Sequence, residues 1–121
     1  MTKELTEVAL AFARECLGWR KPEPSGVPFI ELMWFRALGG TRFLRFTDPS
    51  AVIRAVHQWL SEREDWGLVV RLSRRGKYVA VVQDEAYGPP EELGESDETT
   101  DFCLAVLSAC VEAARKMKEA V

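Results

Sequence analysis

The sequence is short of several things that announce a function. It has one histidine, three cysteines and eight glycines in 121 residues. No apolar run approaches the roughly 20 residues that a membrane-spanning helix needs. The single histidine, His57, excludes multi-histidine metal sites and any two-histidine mechanism. The cysteines, Cys16, Cys103 and Cys110, are odd in number and all fall on apolar helical stripes. They read as small buried hydrophobes of a reducing compartment, not as a disulfide framework. Burial suppresses thiol reactivity. Cys103, near a predicted helix N-terminus, has the one setting that favours a thiolate. The glycines compose neither G-x-x-x-x-G-K-[ST] nor G-x-G-x-x-G, and Gly39-Gly40 leads into a strand, so no phosphate cradle is expected. No serine stands in G-x-S-x-G, and no D-x-D-x-D-G calcium loop occurs. The stretch Met1 to Ala11 carries one Lys and two Glu, so it lacks the basic-then-apolar layout of a signal peptide. A cytoplasmic protein with no catalytic, metal-binding or cofactor-binding set, and no membrane association, is the expectation.

What is present belongs to an ordinary globular chain. Apolar residues make up 47% and charged residues 29%, with a net charge of −3. That balance fits one domain over residues 1–121 and is too mild to steer the chain toward nucleic acid. Leu5, Val8, Ala9, Phe12, Ala13 and Cys16 recur at helical spacing, with Thr2 as a cap and Gly18 as the stop. The proline-containing stretch from Arg20 to Pro28 reads as loop. A hairpin follows, Phe29 to Leu38 and Thr41 to Phe46, turning at Gly39-Gly40. Thr47 or Asp48 caps a second helix, with Pro49 at its first position and Val52, Ile53, Val56, Trp59 and Leu60 as its stripe.

A second hairpin spans Trp66 to Leu72 and Lys77 to Gln83, turning through Ser73-Arg74-Arg75-Gly76. Its side chains are apolar on both faces, which predicts a sheet covered on both sides. Residues 84 to 98 read as a polar loop. A last helix starts near Thr99 or Thr100 and buries Phe102, Cys103, Val106, Leu107, Cys110, Val111, Ala114 and Met117. The fold class is therefore α+β. The expected architecture is a three-layer α/β/α sandwich in helix-hairpin-helix-hairpin-helix order, around a four-stranded, mainly antiparallel sheet.

Charge is unevenly placed. Asp84 to Asp101 holds eight acids and no Lys or Arg, leaving 11 acidic against 16 basic residues elsewhere. Asp97, Glu98 and Asp101 suit a helix N-terminus electrostatically. Glu91, Glu92, Glu95 and Asp97 form a candidate docking surface for a protein partner, together with Trp19 and Trp34 beside the proline-containing loop. A basic group runs over both hairpins: Arg36, Arg42 and Arg45, then Arg71, Arg74, Arg75 and Lys77. Alternation puts Arg42 and Arg45 on opposite faces, and nucleic-acid binding needs one coherent stripe. Charge also protects edges and turns.

Three places resemble the phage ABA-sandwich domain family, small proteins of phages and prophages. They are Cys16-Leu17-Gly18-Trp19 at the end of the first helix, Phe46-Thr47-Asp48-Pro49-Ser50 opening the second, and Glu98-Thr99-Thr100-Asp101 leading into Ala105, Cys110 and Ala113-Ala114. The likeness runs from about Leu5 to Ala114. It implies an α/β/α sandwich and a phage origin, and no reaction. The functional expectation is a non-enzymatic phage or prophage accessory protein acting by protein–protein contact with an unidentified, host-type partner. Two alternatives stand beside it. One is a nucleic-acid-associated role for Arg71, Arg74, Arg75 and Lys77, and the other a small-molecule or enzymatic site near His57 or Cys103. A free strand edge would also allow a homodimer.

Overall fold

The computed structural model describes residues 3–24, 33–37, 40–86 and 88–119, with backbone alone for 3, 33–37, 40 and 41. Its elements are α1 (Lys3–Glu15), β1 (Glu23–Pro24), β2 (Met33–Ala37), β3 (Gly40–Leu44), α2 (Pro49–Ser61), β4 (Trp66–Leu72), β5 (Tyr78–Asp84), β6 (Glu91–Glu95) and α3 (Phe102–Glu119). Local chemistry fixes the helix ends. Gly18 takes φ +70 just past α1, and the Trp19 N–H reaches back to the Ala13 carbonyl at 2.9 Å. This is the left-handed stop that glycine makes cheaply. At α2 the Asp48 carboxylate accepts the Ser50 N–H at 3.0 Å, and Pro49 fills the first helical position, where no N–H is needed. Asp101 caps α3, its carboxylate accepting the Leu104 N–H at 3.2 Å. The expected start at Thr99 or Thr100 is displaced because Thr99 pairs with Tyr78 in an isolated bridge. Thr2 lies outside the described residues.

Among the described residues the strands form two three-stranded antiparallel sheets, ordered β1-β2-β3 and β4-β5-β6. The four-stranded sheet and the helix-hairpin-helix-hairpin-helix order are thereby corrected, since each hairpin gains a third strand and the two hairpins do not join. β1 comes from the stretch read as proline loop, and β6 from the stretch read as acidic loop. Neither has strand-like composition, β6 being three glutamates, a leucine and a glycine. Backbone pairing makes them strands: Glu23 with Trp34, and Gly94 with Val82. In the first hairpin Gly40 pairs with Ala37 and so belongs to β3, and positions 38 and 39 lie outside the described residues. The second turn is as expected. Gly76 takes φ +73, its N–H bonds the Ser73 carbonyl at 3.0 Å, and the Ser73 hydroxyl accepts the Arg75 and Lys77 N–H groups.

The layer order also differs from an α/β/α sandwich. Packing runs from β5 and β6 through α3 to α1 and α2, and from these to the first sheet. The helices thus lie between the sheets. The cause is α3, which buries Cys103, Leu104, Ala105, Val106, Leu107, Ala109, Cys110, Val111, Ala113 and Ala114. A helix apolar around most of its circumference needs cover on several sides. One face of the second sheet supplies it through Ala80 and Val82, while Phe12 and Leu5 from α1 and Trp59 and Val56 from α2 supply the rest. Each such large side chain contributes about 2–3 kcal/mol by leaving water. Two expected core residues face outward instead: Ile53 at 39% and Met117 at 48% exposure. Gly94 sits where β6 crosses α3, and a Cβ there would run into Ala109 O and Ala113 N. Beyond it, the buried Ser96 hydroxyl accepts the Ala80 N–H at 2.9 Å.

Candidate functional site

Gly94 brings β6 against α3, and α1 packs along α3 beside it. Between them opens a cleft of about 550 Å³. Val8, Ala11, Leu104 and Val111 line it with apolar surface, and Glu4, Glu7, Glu95, Asp97, Glu98 and Glu112 line it with carboxylates. Among the described residues its one cation is Arg115, whose Nε donates to both carboxylate oxygens of Glu15 at 3.1 and 3.2 Å. Six carboxylates against one engaged guanidinium give the cleft a negative potential, strengthened by the concave, low-dielectric wall behind it.

The acidic surface expected from the sequence is therefore divided. Glu95 and Asp97 open into the cleft, joined by Glu4, Glu7 and Glu112 from helices distant in sequence. Glu91 and Glu92 stand exposed at the other end of β6, where Glu92 faces Arg71 at 3.9 Å and its carbonyl accepts the Lys116 ammonium at 3.2 Å. Sequence reasoning missed Glu4, Glu7 and Glu112. Their signal was the polar edge of α1 and α3, and nothing local said that these edges meet.

A second cleft, about 420 Å³, lies between the end of α1, β3 and α2, lined by Trp19, Arg42, Phe43, Gln58, Trp59 and Glu62 among others. Trp19 is half-buried here, packed on the core and lining this cleft. The Trp34 and Arg36 side chains lie outside the described residues. Behind this cleft the Arg63 guanidinium stacks 4.6 Å from the centre of the Trp59 ring and 5.8 Å from that of Trp66, and its Nη1 donates to the Trp59 carbonyl at 2.9 Å. Arg63 is thus a structural cation between two aromatic rings. Its position four residues after Trp59, just past the end of α2, was the available signal.

Arg71, Arg74 and Arg75 are exposed and Lys77 half-buried around one turn, with Arg71 facing Glu92. Arg42 in β3 and Arg45 just past its end are exposed in the region of the first hairpin. His57 is exposed on α2 and Cys103 is buried, and neither lines either cleft. Burial, with smaller contributions from Asp101 and Asp48, pushes the Cys103 thiol up to about 11, so the helix N-terminus does not yield a thiolate. Burial likewise pushes Cys16 up to about 12 and raises Cys110. The Cys16 thiol donates to the Cys110 carbonyl at 3.6 Å, and all three cysteines are free. Among the described residues no cluster of His, Cys, Asp and Glu has a metal-ligand arrangement, and no helix is long and apolar enough to cross a membrane.

No protein-family model, no curated protein and no solved structure matches this chain.

Proposed function

We propose that the protein acts by binding another protein, without catalysis, and that the cleft between α1, α3 and β6 receives a basic segment of that partner. One observation carries the reading: six carboxylates from three separate parts of the chain converge on one concave surface with an apolar lining. Carboxylates orient lysine or arginine side chains, and the Val8, Ala11, Leu104 and Val111 surface fits the methylene stems of those residues. Electrostatic complementarity of this kind raises association rates and selects partners by charge. A phage or prophage accessory role belongs to the same reading and rests on the family resemblance alone.

The test is the fluorescence anisotropy of a labelled oligo-arginine peptide against two triple variants. Glu95→Gln, Asp97→Asn and Glu98→Gln remove charge from the cleft. Glu23→Gln, Glu62→Gln and Glu64→Gln remove the same charge from exposed positions outside it. The first set is expected to weaken binding by at least about tenfold, or 1.4 kcal/mol, and the second by far less. Equal losses in both sets would reduce the effect to net charge and end the proposal.

A further inference from the structure

The second sheet has two edges, and they are treated differently. β6 carries three glutamates, a register shift opposite Val82 and Gln83, and Lys116 bonded to its Glu92 carbonyl. Charge, irregular register and capped carbonyls are the usual defences of an edge. β4 lacks the last two and has little of the first. It is seven residues long, Trp-Gly-Leu-Val-Val-Arg-Leu, in unbroken register with β5 and with one charge, Arg71. Val69 is 37% and Leu72 64% exposed. Among the described residues no strand pairs with its outer side.

The hydrogen bonds at its ends fix which backbone groups face outward. Ser73 N–H bonds the Lys77 carbonyl at 2.8 Å, and Glu85 N–H bonds the Asp65 carbonyl at 2.7 Å. In an antiparallel pair, alternate residues turn both backbone groups to the neighbour. Asp65, Gly67, Val69, Arg71 and Ser73 therefore face β5, and Leu68, Val70 and Leu72 aim their N–H and C=O groups at the open side.

We propose that two copies of the chain pair antiparallel through β4, about a two-fold axis at Val69, joining their second sheets into one of six strands. This is the register that uses all of β4. It sets Val69 against Val69, Leu68 against Val70, and the exposed Leu72 against Trp66. It also sets Arg71 of each copy opposite Gly67 of the other. Gly67 has no side chain, and the space a Cβ would take is occupied by the Glu85 carboxylate. Gln83 holds that carboxylate at 3.0 Å on the same face. An arginine arriving opposite Gly67 meets the acid directly, and the two-fold repeats the pair. The contact is isologous, as a closed dimer requires. It is self-complementary in backbone, shape and charge, which singles out a second copy as the occupant.

Sedimentation velocity over a dilution series reads the outcome, and circular dichroism confirms that each variant is folded. The wild type is expected to dimerise. Val69→Lys sets two ammonium groups across the axis and should yield monomer. Arg71→Glu and Glu85→Arg should each weaken the dimer by about tenfold or more, and the double variant should restore it. Val69→Cys should form a disulfide dimer on mild oxidation, because residues facing each other across a non-hydrogen-bonded pair have Cα atoms about 4.5 Å apart, within disulfide reach. A wild-type monomer at every concentration would overturn the proposal. So would a dimer indifferent to Val69→Lys, or charge reversals that do not compensate.

Discussion

The two sheets start from the same kind of sequence, an apolar-containing hairpin punctuated by glycine, and they reach different depths. In β3 the described side chains are exposed at Arg42 and Phe43 and buried at Leu44, which with the following Phe46 joins the core. In β5 three consecutive residues, Ala80, Val81 and Val82, are buried. The third strand accounts for much of the difference. β1 is two exposed residues, whereas β6 is five residues held against the α3 backbone at Gly94. Sheet depth in this molecule thus follows helix contact more than hairpin pattern. The second sheet supplies core residues and one wall of the acidic cleft, and β3 of the first sheet lines the smaller second cleft.

Breaking that asymmetry at its strongest point should have the largest effect. Gly94→Val places methyl groups where Ala109 and Ala113 backbone atoms already stand. Neither a helix backbone nor a paired strand can yield cheaply, so a loss of about 3 kcal/mol or more is expected in urea unfolding, at the upper end of overpacking costs. The same change should distort the acidic cleft, since β6 and α3 both form it. A stability within 1 kcal/mol of wild type would mean that β6 is not seated on α3, and the contrast between the sheets would fail. Leu44→Ala probes the deep anchor among the described side chains of β3. At 4% exposure it should cost about 2–3 kcal/mol, the lower part of the range for such truncations, because its strand has few other buried neighbours.

Much of this was legible from local chemistry and little of it from composition at a distance. Gly18, Asp48 with Pro49, and the Ser73-to-Gly76 turn occupy the roles their types dictate, because each acts through its immediate backbone. The cysteines pack in the interior, as their stripes required. β6 was not legible, since a glutamate-rich segment becomes a strand only through pairing with β5, and Gly94 is needed for α3's approach, not for a turn. The cleft was half legible. Glu95 and Asp97 stood in a visible acidic run, but Glu4, Glu7 and Glu112 join them only because α1 lies along α3. The layer order failed for a related reason. Apolar residues on both strand faces were read as two covered faces; on the side away from α3 this holds at Val81, which is 1% exposed, and not at its cross-strand partner Val69, which is 37% exposed.

Ser96 sharpens the comparison at the scale of one hydrogen bond. It is the buried polar residue beyond β6, and its hydroxyl satisfies the Ala80 N–H in the middle of the second sheet. Ser96→Ala leaves that donor buried and unpaired, at an expected cost of about 1–2 kcal/mol. Ser96→Thr keeps the hydroxyl and should recover part of the loss. If alanine were neutral, the Ala80 amide would have to find another acceptor, and the seal between β6 and β5 would be looser than its geometry implies.

The smallest effect belongs to Phe43, and it is informative because the residue is large. Phe43 precedes the Leu44 anchor, is 62% exposed and forms part of the second cleft. In a core, removing a phenylalanine side chain costs about 3–5 kcal/mol. Here, on the outward side of a thinly anchored strand, Phe43→Ser should change stability by no more than about 0.5 kcal/mol in either direction, as surface substitutions do. A thermal midpoint close to that of wild type, beside a clear drop for Leu44→Ala, would establish that β3 is held on one face only. A loss for Phe43→Ser comparable to that for Leu44→Ala would instead mean that its ring is covered in solution, and the two sheets would differ less in depth than their described side chains indicate.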